Sequence, residues 1–345
     1  MASSPAAVVP AVQVMKVDAG APQVVPVVAV AQPVMVAPGQ QVMVATGPPP
    51  TDLSILANVS KVVIKQKVKL MEAVTQGCCE QSNTYEVLDA ATGVALLRAH
   101  ERSGGFSRIC CAPNHDLRLE VNALHNGAEV GTVMTMERPF VCSLCTWADI
   151  CADGANFHRG RVEGSPGSMP QDAVFASAKQ PHCGGGMTPT VMLRTPATPD
   201  PYAVVQGPMC FGGASKFCCS ATFDISNLPP GKGPADVLNN ADHAVLVKEK
   251  PKSFTGALRE ALTDSDVFTL QFKDPNMSLE QKAGTLGSIF LLDYMFFERD
   301  GDLISFNDDG SVNLNLCNMS CCGMVVPCQI SGGGGSDGGG GGGGD

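Results

Sequence analysis

Apolar and polar residues alternate with a period of two through much of this chain. That period marks strands buried on one face. In IKQKVKL, residues 64–70, Ile64, Gln66, Val68 and Leu70 fall on one face and Lys65, Lys67 and Lys69 on the other. TYEVLDAATGVALLRAH predicts two strands across a turn at Ala91-Thr92-Gly93. LRLEVNALHNGAEVGTVMTM repeats the pattern, with Asn126-Gly127 as a hairpin turn. FCCSATFDIS and AVLVKEK predict further strands. Short strands at near-regular spacing, broken by Gly and Asn turns, point to a barrel or a sandwich.

One segment breaks the alternation. Ser278 followed by Gln281 is a capping-box signature, and AGTLGSIFLLDYMFF then runs apolar on every side. A helix apolar all round is either buried in protein or spans a membrane. Fifteen residues, Ala283 to Phe297, reach about 22 Å, short of a hydrocarbon core of about 30 Å. Asp293 would cost on the order of 3 kcal/mol at mid-membrane depth. Length and Asp293 therefore favour a core helix wrapped by strands. Gly284 and Gly287 permit close packing against it.

The two ends differ from the middle. Residues 1–50 are Val/Pro-rich and carry only Lys16 and Asp18 as charges. Proline every few positions predicts a disordered or extended tail, read first as a flexible tail and alternatively as a ligand for a Pro-motif-binding partner, and no secretory signal is visible. Residues 332–345 are almost pure Gly and predict a second tail. The predicted organisation is thus a tail over 1–50, a domain over 51–305, a Cys-containing extension over 306–331 and a Gly-rich tail over 332–345.

A formal net charge of −10 gives no support to nucleic-acid binding. Fifteen cysteines without a secretory signal point to reduced thiols, metal ligands or acylation sites rather than a disulfide framework. The six histidines, His100, His115, His125, His158, His182 and His243, form no H-E-x-x-H pattern. With no nucleophile elbow either, enzyme chemistry is not expected.

Longer motifs carry a resemblance. FTGALREALTDSDVFTLQF (254–272) and GSIFLLDYMFFE (287–298) resemble the C-terminal signature of the phospholipid scramblase family. NTYEVLDAATG, RICCAPNHDLRLEV, MERPFVCSLC and VVQGPMCFGGASKFCCSATFDI match its earlier blocks in order, so the likeness covers roughly residues 51–301. The resemblance implies a tubby-like fold: mainly β, a closed antiparallel barrel of about 12 strands around a central hydrophobic C-terminal helix. It also implies Ca²⁺-dependent, ATP-independent, bidirectional movement of phospholipids between leaflets, on the cytosolic side of the plasma membrane. The same family is described as single-pass, with this helix as the anchor, so the resemblance leaves both placements open.

The implied sites follow residue by residue. The family's Ca²⁺ loop falls on DSDVFTLQFKDP: Asp264, Asp266 and Asp274 as carboxylates, with Phe268, Leu270 and Phe272 offering backbone carbonyls. It is a poor EF-hand, with Thr269 where the turn glycine belongs and Pro275 at the twelfth position. A plain strand over VFTLQF is the competing reading. The acidic stretch ERDGDLISFNDDGS (298–311) predicts a solvated turn and hairpin. The implied palmitoylation cluster reduces here to Cys142, Cys145 and Cys151, two acyl groups being what stable anchoring needs. Zinc is the rival for Cys142 and Cys145, with Cys110-Cys111 or Cys218-Cys219 as the other half, although adjacent cysteines chelate one tetrahedral ion poorly. Lys248, Lys250 and Lys252 predict a solvated strand face able to meet phosphate headgroups. Within the helix, Gly287, Phe290, Leu291, Asp293, Phe296 and Phe297 are the residues that a core or membrane role would use. The leading function is therefore a scramblase. The alternative is a peripheral lipid-binding or signalling adaptor with the same barrel and no transport.

Overall fold

The computed structural model describes residues 50–67, 83–102, 116–140, 152–237, 240–250, 266–297, 303–306 and 310–332. The chain separates into two units, Met1–Ala45 and Thr46–Asp345, and every described residue lies in the second. Residues 1–49, Val68, Lys69, Leu70, Cys110, Cys111, Cys142, Cys145, Cys151, Lys252, Asp264 and the Gly run 333–345 lie outside the described residues.

The wall contains strands where the alternation predicts them, and four more over 154–206 that the alternation does not single out. β1 (Lys61–Lys67), β2 (Thr84–Asp89), β3 (Ala95–Glu101), β4 (Leu117–His125), β5 (Ala128–Arg138) and β6 (Gly154–Arg159) pair as successive neighbours. β7 (Val174–Lys179), β8 (Thr190–Arg194) and β9 (Ala203–Gln206) continue it. A two-residue strand, β10 (Cys210–Phe211), leaves the wall, and β11 (Ala221–Asn227), β12 (Ala244–Lys248) and β13 (Val267–Phe272) complete it. β13 pairs with β1 from Val267 opposite Lys65 to Gln271 opposite Lys61, closing a twelve-strand antiparallel barrel. Closure leaves no free edge in the wall.

Local chemistry explains the turns. Asn126 and Gly127 both take positive φ, +52° and +80°, as a tight hairpin turn requires. Between β2 and β3 the Asp89 carboxylate accepts from the Ala91 amide and the Thr92 hydroxyl, and Gly93 at φ +72° completes the reversal. The strand FCCSATFDIS begins later than the alternation suggests. Cys218 and Cys219 are exposed after a 3₁₀ turn over Gly213–Phe217, and β11 starts at Ala221.

The helix α1 (Leu279–Leu292) fills the barrel. Its capping box is complete: Ser278 Oγ accepts from the Gln281 amide, and the Gln281 side chain accepts from the Ser278 amide. Every residue from Ala283 to Phe297 is buried. Fully burying each Leu, Ile or Phe side chain contributes roughly 1.5–3 kcal/mol, so this helix supplies much of the core. Glycine sets how close it comes: a Cβ on Gly287 would sit 2.5 Å from Phe157 Cε1, and one on Gly284 2.8 Å from Ala176 Cβ. Lys282, a flanking charge in the sequence, turns back instead. Its Nζ donates to the carbonyls of Leu56, Ala57 and Val59, at the end of a 3₁₀ turn over Leu53–Leu56. Among the described residues no helix is long and apolar enough to cross a membrane.

Beyond the helix, β14 (Ile304–Phe306), β15 (Val312–Cys321) and β16 (Met324–Gly332) form a second, four-stranded sheet with β10. β14 pairs with the start of β15, the hairpin predicted over 298–311. β10 pairs with the same strand further along, at Met319 and Asn318. Cys210 and Cys317 are joined by a disulfide spanning 107 residues of sequence. The expectation of reduced thiols therefore fails at this pair, because β10 and β15 set the two cysteines with Cα atoms 5.9 Å apart. Cys183, Cys218, Cys219, Cys321, Cys322 and Cys328 are free.

Candidate functional site

The helix ends in a wide, π-type turn over Asp293–Phe297, at the end of the barrel where β2 begins and β3 and β12 finish. Such turns concentrate at functional sites. Asp293 is buried there, and the Tyr85 hydroxyl donates to its Oδ2 at 2.6 Å. Among the described residues its Oδ1 has no hydrogen-bond partner. Burial pushes the Asp293 carboxyl up to about 7; the negative charge of Asp266 adds to this, while Lys248 and the Tyr85 hydrogen bond oppose it.

The neighbouring residue mirrors this contact. The Tyr294 hydroxyl donates to Glu101 Oε2 at 2.8 Å, and the Asn83 amide donates to the same oxygen at 3.2 Å. Lys248 Nζ bonds Asp266 Oδ2 at 2.6 Å and lies 3.9 Å from the centroid of the Phe297 ring. Below this polar layer, Phe296 and Phe297 pack with Phe211 and Phe223 at centroid separations of 5.5–6.4 Å. Phe268 reaches Phe297 at 5.6 Å, and Phe290 reaches Tyr85 at 5.1 Å. A second buried pair belongs to the same end of the wall: Arg138 Nε and Nη2 donate to the two oxygens of Asp153, at 2.9 and 2.6 Å.

At the opposite end, His243 is buried beside the first turns of α1. Its Nδ1 lies 2.8 Å from Asn227 Oδ1 and its Nε2 3.1 Å from Thr285 Oγ1. Burial pulls its pKa down to about 4, against the pull of Asp274 and Asp242.

Of the sequence-predicted residues, Gly287, Phe290, Leu291, Asp293, Phe296 and Phe297 all lie in the barrel core. Lys248 does not belong to a solvated face. It shares the parity of buried Ala244 and Leu246, so its side chain turns inward to Asp266 and the aromatic rings. Lys250 stays exposed and donates to the Cys218 carbonyl.

The implied Ca²⁺ loop is a strand where it is described. Phe268, Leu270 and Phe272 point into the core as alternate residues of β13. Their backbones are committed to ladders: Phe268 faces Ile64 and Lys248, Leu270 faces Val62 and Leu246, and Phe272 faces Ala244. Asp266 is held by Lys248, and Asp274 sits beyond the far end of β13, accepting from the Asn276 amide. The six-residue strand between them spans about 20 Å, so these two carboxylates do not share one ion. The described part of 264–275 does not fit a Ca²⁺ loop. Among the described residues, no group of three His, Cys, Asp or Glu side chains could hold a metal.

Tyr85, Glu101 and Tyr294 complete the polar layer without having been singled out by sequence. Parity was the available signal. Tyr85 is in phase with buried Val87, Glu101 with Leu97 and Ala99, and Asp266 with Phe268 and Leu270. The arrangement offers a protonatable carboxyl and charged pairs where the helix meets the wall. Its polar groups fix the helix end.

A closed antiparallel barrel filled by its own C-terminal helix, with a polar layer sealing one end, defines the class of protein. The chain matches the family described as Scramblase over residues 40–169 and 236–299. It belongs to that family. It is 29% identical over 271 residues to phospholipid scramblase 1 of Rattus norvegicus, covering 77% of this chain and 69% of the relative. It is 28% identical over 262 residues to phospholipid scramblase 1 of Homo sapiens, covering 75% and 70%. With phospholipid scramblase family member 5 of Homo sapiens the identity is 22% over 253 residues, covering 72% and 78%. No solved structure matches the chain. The family stretches contain β1–β6, β12, β13 and α1, and they end before β14.

Proposed function

We propose that this chain is a phospholipid scramblase, moving phospholipids in both directions between leaflets without ATP and without making or breaking a covalent bond. The observation that carries the reading is the family match, which takes in both strands of the barrel seam, β1 and β13, and the helix that fills the barrel. The relatives bear the name phospholipid scramblase. The reading places the protein on the cytosolic face of a membrane, the plasma membrane by resemblance, with palmitoylation at Cys142, Cys145 and Cys151 as its anchor. Ca²⁺ dependence rests on the resemblance alone and supplies no step here.

A second reading is a peripheral lipid-binding adaptor. Burial of the whole segment from Ala283 to Phe297 favours it, since the helix offers no path across a bilayer.

One experiment separates the two. The full chain is reconstituted into liposomes carrying fluorescent phospholipid in both leaflets, and dithionite quenching is followed with and without Ca²⁺. Quenching beyond the outer-leaflet half supports transport. Quenching that stops at half, while the protein still floats with the liposomes, supports the adaptor. A Ca²⁺ requirement abolished by Asp264→Ala/Asp266→Ala supports the Ca²⁺ dependence, and transport indifferent to Ca²⁺ removes it.

A further inference from the structure

The sheet beyond the barrel is amphipathic in the inverted sense. On β15, Asn315, Asn318 and Ser320 are at most 1% exposed, while Val312, Leu314 and Leu316 are 36–39% exposed. Strand register aligns the outward apolar residues across the sheet. Ile304 of β14 faces Leu314, and Leu314 faces Ile330 of β16, which is 56% exposed. Val326, opposite Met319, extends the same face. Ordinary half-exposed sheets present polar residues to water, and contiguous exposed apolar patches mark partner or membrane surfaces.

The chemistry of the face selects the occupant. From Gly310 to Ser336 the sequence carries no Asp, Glu, Lys or Arg, in a chain whose net charge is −10. Elsewhere that charge is repelled by anionic headgroups; the strands β14, β15 and β16 carry none of it, although Asp308 and Asp309 fall in the sequence between β14 and β15. Ile304, Val312, Leu314, Leu316, Val326 and Ile330 are all aliphatic, whereas protein interfaces concentrate their energy in Trp, Tyr and Arg. Aliphatic, uncharged surface suits hydrocarbon. The sheet is also fixed rather than loose, through the Cys210–Cys317 disulfide and through Phe211, whose ring packs on Phe296 and Phe297.

We propose that the outer face of β14–β15–β16 is a membrane-docking surface that seats the barrel on a phospholipid bilayer, its aliphatic side chains entering the boundary between headgroups and acyl chains. The choice of a bilayer as the partner rests on the scramblase reading. The face itself lies outside the residues matched by the family.

The test is flotation of the full chain with phosphatidylcholine vesicles, with and without phosphatidylserine. Wild type should float on both with no gain from phosphatidylserine, and added salt should not release it, because no attraction between charges mediates the contact. Leu314→Asp/Ile330→Asp should lower the vesicle-bound fraction roughly tenfold or more. Val94→Asp/Val130→Asp, exposed apolar positions at the far end of the barrel, should leave it unchanged. Leu314→Thr/Ile330→Thr keeps strand propensity and should give an intermediate loss if the Asp pair does not fold. Undiminished flotation of a folded Asp or Thr pair overturns the inference. So does a wild-type dimer that the Asp pair turns into a monomer with flotation intact, since the face would then join two copies. Full scrambling by the Asp pair overturns docking and keeps transport, whereas docking through this face without scrambling keeps docking and overturns transport.

Discussion

The Tyr85 hydroxyl meets the Asp293 carboxylate at 2.6 Å across 208 residues of sequence. The contact ties the second strand of the wall to the last turn of the helix, in a place where a charge is costly. The carboxyl is held at about 7, above its ordinary 3.8. A raised carboxyl contributes stability that is complete below about 3.8 and is lost as pH rises through 7. Asp293→Asn keeps an acceptor for Tyr85 and removes the charge. It should stabilise the protein at pH 8 by up to about 4 kcal/mol, at 1.36 kcal/mol per pKa unit, with the gain vanishing near pH 4. Urea midpoints across that range check it. A gain independent of pH would mean that Asp293 is not the titrating group.

His243 acts with the opposite sign. Its folded pKa of about 4 lies below the ordinary 6.5, so its contribution is complete above 6.5 and lost as pH falls through 4. In an Asp293→Asn background, stability should rise by about 2–3 kcal/mol between pH 4 and 6.5. Adding His243→Gln should level that slope.

Gly287→Val should be strongly destabilising. The glycine lies against the Phe157 ring, with no room for a Cβ. Overpacking costs typically 1–3 kcal/mol, occasionally more. The expected readout is a lower unfolding midpoint. Gly287→Ala should show a smaller loss, because Ala regains roughly 1 kcal/mol of helix propensity. An unchanged midpoint for the Val variant would contradict the packing of α1 against β6.

Removing one half of the buried Arg138–Asp153 pair takes the bidentate contact away from the other charge. Arg138→Met should cost about 3–5 kcal/mol, and Arg138→Met/Asp153→Leu should recover most of it. Thermal unfolding of the three chains decides whether the pair is compensated as the geometry requires.

Much of the fold is legible because strands and helix announce themselves locally. Asn126-Gly127 sets its hairpin through backbone conformation alone, and Ser278 with Gln281 starts the helix through its own hydrogen bonds. The length of the apolar run and the presence of Asp293 point to burial, and α1 is buried. The polar layer is harder to read because its partners lie far apart in sequence and look like surface residues singly. Lys248 resembles its solvated neighbour Lys250 until its inward phase on β12 is noticed. The stretch 266–274 carries carboxylates at both ends of a strand, and a resemblance to a loop hides the alternation of Phe268, Leu270 and Phe272. The Cys210–Cys317 bond has no local signal at all, since β10 is two residues long.

The order of the elements along the chain carries a consequence for synthesis. All twelve wall strands precede the helix they enclose. Chains emerge from the ribosome N-terminus first, so the wall is made before the residues that fill it. Until Phe297 is out, Phe157, Phe223, Phe268 and Tyr85 have no helix to bury against. The first strand waits as well, because β1 finds its seam partner only in β13. The domain can complete its core only after nearly 300 residues have been made. A nascent chain halted before the helix should expose apolar wall and should hold to chaperones, even though every strand of the barrel wall is already present.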